Sequence, residues 1–265
     1  RSLVMQLEYK GKKTWLRTFT DPGVWPDQSN VTAAVLNLAG EKKPKICFTN
    51  GHYERSVFNA TRNDYYLHTN AKRMRGSLVN KGVIVDSIFL PCEDLKADMD
   101  VLVVANPKTV YSEAEQQKLI SWLNKGGNAI IYTEPGKQHI LEPVLKEIGV
   151  SVDNGIIVRP NKHESPQLFT AKLTKAGNFI AKEPNMQLYQ DYGLKGGLVW
   201  HDGVASLNFL PTKGFRATPI ITIPGNEDTW IENGRLVADS AAPVFSPDEG
   251  DMRKEEYITA YAVTR

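Results

Sequence analysis

The sequence predicts an α/β domain built on a doubly wound, mainly parallel sheet. Short apolar runs at 45–49, 100–105 and 128–133 alternate with segments of helical periodicity, and strand alternating with helix is the signature of a parallel sheet with helical crossovers. The runs lack the strict polar–apolar alternation of a half-exposed sheet, so helices are expected on both faces. A polar loop follows each run, and in such sheets these loops gather at the carboxyl edge, where sites form.

Residues 3–9 and 14–20 are rich in β-formers (Val4, Tyr9, Trp15, Phe19) and flank Lys10-Gly-Lys-Lys13, which predicts a hairpin. After Asp21-Pro-Gly23, the spacing of Val31, Ala34, Val35 and Leu38 predicts a helix stopping at Gly40. Strand 45–49 is followed by a helix expected over 62–80, ending near Gly82, and by strand 83–90. Strand 100–105 turns at Asn106-Pro107, and Ser112-Glu-Ala-Glu115 has the capping-box form before a helix closed by Gly126-Gly127. Strand 128–133, the loop Glu134-Pro-Gly136 and a stripe of Ile140, Val144, Leu145 and Ile148 complete the pattern. Strands at 198–200, 204–210, 218–223 and 257–263 are expected to extend the same sheet, and 239–254 reads as a loop. The order is flavodoxin-like, with a hairpin and helix over 1–43 packed on a single α/β domain over 44–265 whose C-terminal part is strand-rich.

Composition narrows the function. A chain of 265 residues with 41% hydrophobic content has a sizeable core, and 32 Lys plus Arg against 30 Asp plus Glu leaves a net charge of +2. No basic run exceeds Lys72-Arg73-Met74-Arg75, so nucleic acid is not an expected partner. No apolar stretch reaches the roughly 20 residues needed to span a bilayer. Beginning at Arg1, without a start methionine or signal-like segment, the chain reads as a soluble fragment of a longer protein. Cys47 and Cys92 lack any CxxC or Cys/His spacing and read as passive.

The segment Pro44-Lys-Ile-Cys-Phe-Thr-Asn-Gly-His-Tyr-Glu54 runs a buried strand straight into a polar loop. With the loops after 105 and 133 it offers His52, Glu54, Asn106, Lys108 and Glu134 as a candidate ligand site, His52 supplying a base and Lys108 an anion partner. The competing reading is that His52 and Glu54 only brace the loop, since polar groups at strand ends must satisfy the backbone. No G-x-S-x-G or G-x-C-x-G nucleophile turn occurs, and Cys47 lies within its strand, so no catalytic residue is assigned. The five histidines share no HxH or HExxH spacing, so no metal is expected. Gly126-Gly127 sits after a helix rather than after a strand and there is no Walker A run, so no nucleotide cofactor is expected and the chain is not itself an ATPase. His201-Asp202-Gly203 reads as a turn. Tyr65, Tyr66, Tyr189, Tyr192, Trp200 and Trp230 offer a carbohydrate or peptide face; the competing reading is that most aromatics are core, with Trp122 and Trp200 expected to be packed and Trp25 and Trp230 in loop-like settings.

Taken in order, several pieces resemble the extracytoplasmic domain of ABC-transporter auxiliary proteins related to the gliding-motility component GldG. They are Leu7-Glu-Tyr-Lys-Gly-Lys12, the strand and Gly-His-x-Glu loop over 46–54, Val101-Leu-Val-Val-Ala-Asn-Pro-Lys108 and Ser112-Glu-Ala-Glu115. Leu123-Asn-Lys-Gly-Gly127, Leu145-Lys-Glu-Ile-Gly-Val150, Thr229-Trp230 and the strand 258–263 follow. The likeness extends over nearly the whole chain; the family loop usually has a small residue where Tyr53 stands. It implies a class I glutamine amidotransferase-like domain in the periplasm, non-catalytic, held at the inner membrane by segments outside this chain and working with an ABC permease and ATPase. Trehalose-utilisation-like and β-galactosidase trimerisation-like domains share the broad architecture and make a carbohydrate ligand conceivable. The alternative is a hydrolase or amidotransferase-like enzyme using the cleft around His52.

Overall fold

The computed structural model describes residues 3–20, 23–61, 63–161, 164–180, 198–234, 236 and 242–265. Contacts divide the chain into two units, 1–132 and 133–265, so residues 1–43 share a unit with the parallel strands.

In the first unit, β1 (Val4–Tyr9) and β2 (Lys12–Arg17) pair antiparallel with Tyr9 opposite Lys12. The two residues between them, Lys10 and Gly11, have φ of 50° and 78°, the left-handed pair whose twist matches that of the flanking strands. Helix α1 (Gln28–Ala39) starts at Asp27, whose carboxylate accepts from the Asn30 N–H while the Asn30 side chain returns a bond to the Asp27 N–H. It ends at Gly40, with φ of 83°.

Four parallel strands form the sheet, β3 (Lys45–Asn50), β4 (Ile84–Phe89), β5 (Val101–Ala105) and β6 (Asn128–Tyr132), in the order β4-β3-β5-β6. Chain order reverses across β3, consistent with a doubly wound topology, and the crevice between the ends of β3 and β5 is its switch point. Phe48, Val57, Val103 and Ala105 form a buried cluster against which Tyr65 packs. Strand β5 is buried along nearly its whole length, as a central parallel strand should be, whereas β6 alternates exposed and half-buried residues.

The helix expected over 62–80 is reduced, among its described residues, to a single turn, α2 (Tyr66–Thr69), and a 3₁₀ turn at Leu78–Lys81. Asn80 explains part of this, because its side-chain amide donates to the carbonyls of Lys72 and Met74 at 3.1 and 2.8 Å. Such side-chain bonds offer the backbone an alternative to the helical ladder. Helix α3 (Glu113–Asn124) then crosses from β5 to β6, capped by Ser112.

The second unit opens with α4 (Gln138–Glu147), which buries Ile140, Leu141, Val144 and Leu145. Its strands are β7 (Val150–Val152), β8 (Ile156–Val158), β9 (Leu168–Leu173), β10 (Leu198–Asp202), β11 (Leu207–Phe209), β12 (Arg216–Pro224), β13 (Trp230–Glu232) and β14 (Glu256–Thr264), with α5 (Lys175–Ile180) after β9. They do not extend the parallel sheet. They form an antiparallel sheet of their own, β10-β9-β12-β14, and the antiparallel pairs β11-β7 and β13-β8. Strand β9 alternates buried and exposed residues, the mark of a sheet covered on one face only, and its buried face joins Ile157, Phe169, Ala171, Ile223, Ile231 and Tyr257. His201 and Asp202, expected in a turn, close β10, and the turn falls on Gly203. Of the loop expected over 239–254, residues 239–241 lie outside the described residues, and the rest includes a 3₁₀ turn at Pro247–Glu249.

Candidate functional site

At the carboxyl end of β3, Gly51 has φ of 124°, and a Cβ there would stand 2.6 Å from the Pro91 ring. Only glycine turns the chain so closely past the loop after β4. The next residue, His52, is buried, and its carbonyl accepts from the Lys108 N–H at 2.8 Å. The loops after β3 and β5 are therefore bonded together at the switch point.

The side chains continue that junction. His52 Nε2 lies 2.7 Å from Glu115 Oε1, and His52 Nδ1 lies 2.9 Å from Thr109 Oγ1. Glu115 Oε2 accepts from the Ser112 N–H and hydroxyl at 2.7 and 2.6 Å, so one carboxylate both caps α3 and holds the imidazole. Burial works to raise the Glu115 pKa, but the bonds from Ser112 and His52 outweigh it and hold the carboxyl below its usual range. An ionised carboxylate only accepts, which puts a proton on His52 Nε2; in the neutral ring Nδ1 then accepts from the Thr109 hydroxyl.

Glu54 closes a second ring of bonds. Its Oε2 accepts from the His52 N–H at 2.6 Å and its Oε1 from the Tyr111 hydroxyl at 2.8 Å. The Tyr111 phenol is pushed up strongly, first by burial and then by the Glu54 carboxylate, and so stays a neutral donor. Its ring meets the His52 ring edge-on, with centroids 4.4 Å apart. Between His52 and Glu54, Tyr53 has φ of 58° and is 78% exposed.

Of the residues the sequence proposes, His52 and Glu54 meet in this network, Lys108 joins it through its backbone, and Asn106 is buried at the turn after β5 with φ of 60°. Glu134 belongs to the second unit, in a turn where its carbonyl accepts from the Lys137 N–H at 3.2 Å. Sequence reasoning missed Thr109 and Tyr111 and read Glu115 only as a cap. The available signal was positional, because a helix starting at the carboxyl edge of a parallel sheet carries its third residue at that edge.

Among the described residues, no group of three or more His, Cys, Asp and Glu could hold a metal ion. Cys47 is buried in β3, where burial first and Asp86 second push its thiol up to about 11, and Cys92 is exposed. Trp122 is partly buried, with its indole N–H donating to the Asn128 carbonyl at 3.1 Å. Trp200 is 68% exposed rather than packed, because it faces outward from β10, whereas Trp230 is buried with its indole N–H on Glu232. Tyr189 and Tyr192 lie outside the described residues.

The family described as an ABC-type uncharacterized transport system matches residues 43–173. That is just under half of the chain, narrower than the likeness read from the sequence, and it takes in the whole His52–Glu115 network while leaving out the hairpin and α1. Residues 43–173 thus associate the chain, in general terms, with an ABC-transport auxiliary family. No curated protein matches the chain. Among solved structures, one titled "mmIFT52 N-terminal domain" is similar at 17% identity and a TM-score of 0.44, covering 67% of this chain and 72% of that one. No described helix is long and apolar enough to cross a membrane.

Proposed function

We propose that this chain is a non-catalytic binding and interaction domain of a membrane-anchored ABC-transport accessory protein. In this reading it has an amidotransferase-like fold, lies on the extracytoplasmic, periplasmic side of the inner membrane, where segments outside these residues anchor it, and works with a permease and an ATPase. The observation that carries the reading is the occupancy of His52: both ring nitrogens are committed to Thr109 and Glu115, and its backbone N–H to Glu54. A ring so engaged holds two loops in register and has no nitrogen to spare for a ligand or metal. The family match over 43–173 supports the transport association.

The test is to purify the full-length parent from its membrane with and without this domain and identify what co-purifies by mass spectrometry. A permease and ATPase recovered only when the domain is present is the expected result. Recovery of the same transporter without it overturns the interaction reading.

One observation favours a second reading. Thr109 hydroxyl, His52 and the Glu115 carboxylate stand in the order of a hydroxyl–imidazole–carboxylate relay, at 2.9 and 2.7 Å, and Thr109 is exposed. In that reading His52 Nδ1 takes the Thr109 proton as the oxygen attacks an acyl carbon, and the imidazolium gives that proton to the leaving group as its bond to the acyl carbon breaks. Water or another acceptor then releases the acyl group from Thr109, giving a hydrolase or transferase. Hydrolysis of p-nitrophenyl acetate that disappears in Thr109→Val while the fold persists would establish it; equal rates in both proteins dismiss it.

A further inference from the structure

The first unit carries a cleft of about 200 Å³, away from the His52 network, between β2, α1 and the Leu78–Lys81 turn. We propose that this cleft binds a small hydroxylated organic anion, a hydroxy acid or a phosphorylated polyol, with Arg17 and Lys43 as the charge partners.

Charge is the first argument. Arg17 and Lys43 both line the cleft and are both half-buried, and neither has an acidic partner among the described residues. None of the lining residues is acidic, although the chain as a whole carries 30 acids against 32 bases. Two half-buried cations lining one cleft repel each other, and an anion placed between them offsets that repulsion.

Polar groups supply the second. Asn37 lies on the inner face of α1, where an apolar residue is the ordinary choice, and its amide donates to Thr14 Oγ1 at 2.9 Å. That bond leaves the Thr14 hydroxyl proton and the side-chain oxygen of Asn37, Oδ1, without partners among the described residues. A donor and an acceptor side by side suit a ligand hydroxyl, which both donates and accepts. Leu16, Phe19, Ala34 and Val79 give the cleft an apolar floor for a short carbon chain. Its volume is below the roughly 300–1,000 Å³ of sites for drug-sized ligands, which limits the occupant to a small molecule.

The cleft is built mostly from residues before position 43, outside the family match, so it is a feature of this chain beyond the transport association. Half-exposed Trp15 lines it and serves as a reporter.

The experiment is a ¹H–¹⁵N NMR titration of the chain with 3-hydroxybutyrate and, separately, glycerol 3-phosphate, with 1,3-butanediol as the neutral control. Saturable shifts of the Trp15 indole and Asn37 side-chain amide signals are expected with at least one anion and not with the diol. Saturation by 3-hydroxybutyrate alone assigns a carboxylate ligand, and by glycerol 3-phosphate alone a phosphate ester. Arg17→Gln/Lys43→Gln is expected to weaken binding by about tenfold or more. Lys43→Gln alone, altering a residue outside every regular element, carries the comparison if the double variant does not fold. Failure of both anions to saturate these signals, equal binding of the diol, or unchanged affinity in the folded variants overturns the proposal.

Discussion

Replacing Glu115 tests whether the His52 junction is a structural brace. Glu115→Ala removes the partner of His52 Nε2 and of the Ser112 N–H and hydroxyl. His52 is buried, so its orphaned ring nitrogen costs about 1–3 kcal/mol; Ser112 is exposed, and losing the reciprocal cap adds about 1 kcal/mol. The sum is roughly 2–4 kcal/mol. Glu115→Gln keeps the shape: its oxygen can accept from Ser112 while its NH₂ faces His52, provided the imidazole shifts its proton to Nδ1 and donates to Thr109. What is lost is the charge assistance, about 1–2 kcal/mol. The pH dependence has a definite sign. The Glu115 pKa is lowered in the folded protein, so on acidification the unfolded chain takes up the proton first. The contribution of Glu115 is therefore complete above its unfolded value near 4.5 and is lost as pH falls through the lower folded value. Hydrogen exchange of peptides spanning β3 and β5, followed through a urea series from neutral pH downward, reads these differences in the unit concerned. Three outcomes would refute the brace: an alanine cost under about 1 kcal/mol, a glutamine variant as unstable as alanine, or a gap between wild type and glutamine that does not narrow in acid.

Four further expectations follow from single contacts. Tyr111→Phe removes the donor to Glu54 Oε1 and should cost about 1–2 kcal/mol in urea denaturation. Iodoacetamide at pH 8 should label exposed Cys92 and spare buried Cys47, whose thiol is pushed up to about 11, as read by intact-mass and peptide analysis. Asp27→Ala removes the α1 cap and should cost about 1 kcal/mol. Asp27 is partly solvent-screened, and its pKa is lowered to about 2 against burial by bonds from Ser29, Lys81 and Asn30, so in pH-dependent unfolding this cost should fade between pH 3.8 and 2. Tyr53→Gly should leave urea stability unchanged or raise it by up to about 1 kcal/mol, because glycine relieves a left-handed backbone that a β-carbon opposes.

The parts legible in the sequence are those whose signals are local. Lys10-Gly11 marks the hairpin, Gly40 the end of α1, and Ser112 with Glu115 the start of α3, and each boundary falls within a few residues of its expected place. Where partners are distant, the same reasoning fails. Residues 62–80 carry enough apolar side chains to read as a helical stripe, but the structure spends Asn80 on backbone carbonyls of the preceding loop. Strands β8 and β13 are not among the expected strands: each has three residues, too few to show a pattern, and they pair across some seventy residues of chain, from Trp230 back to Val158. The site divides in the same way. His52 and Glu54 stand out because they follow a buried strand, whereas Thr109 and Glu115 become partners of His52, and Tyr111 of Glu54, only because the switch point sets the loop after β5, and the start of α3, beside the loop after β3.

That juxtaposition also explains the backbone of the two loops. Tyr53 and Asn106 are both left-handed, at φ of 58° and 60°. The conformation costs an ordinary side chain on the order of 1–2 kcal/mol, less for asparagine, and it persists only where the surroundings over-determine it. Here they do. His52 is held on both sides of its ring, its carbonyl is bound by Lys108, and Glu54 clasps the His52 N–H from beyond Tyr53. The residue carried outward at the centre of this clasp is Tyr53, 78% exposed. The buried polar network thus fixes the two loops against each other at the switch point while Tyr53 stays in solvent.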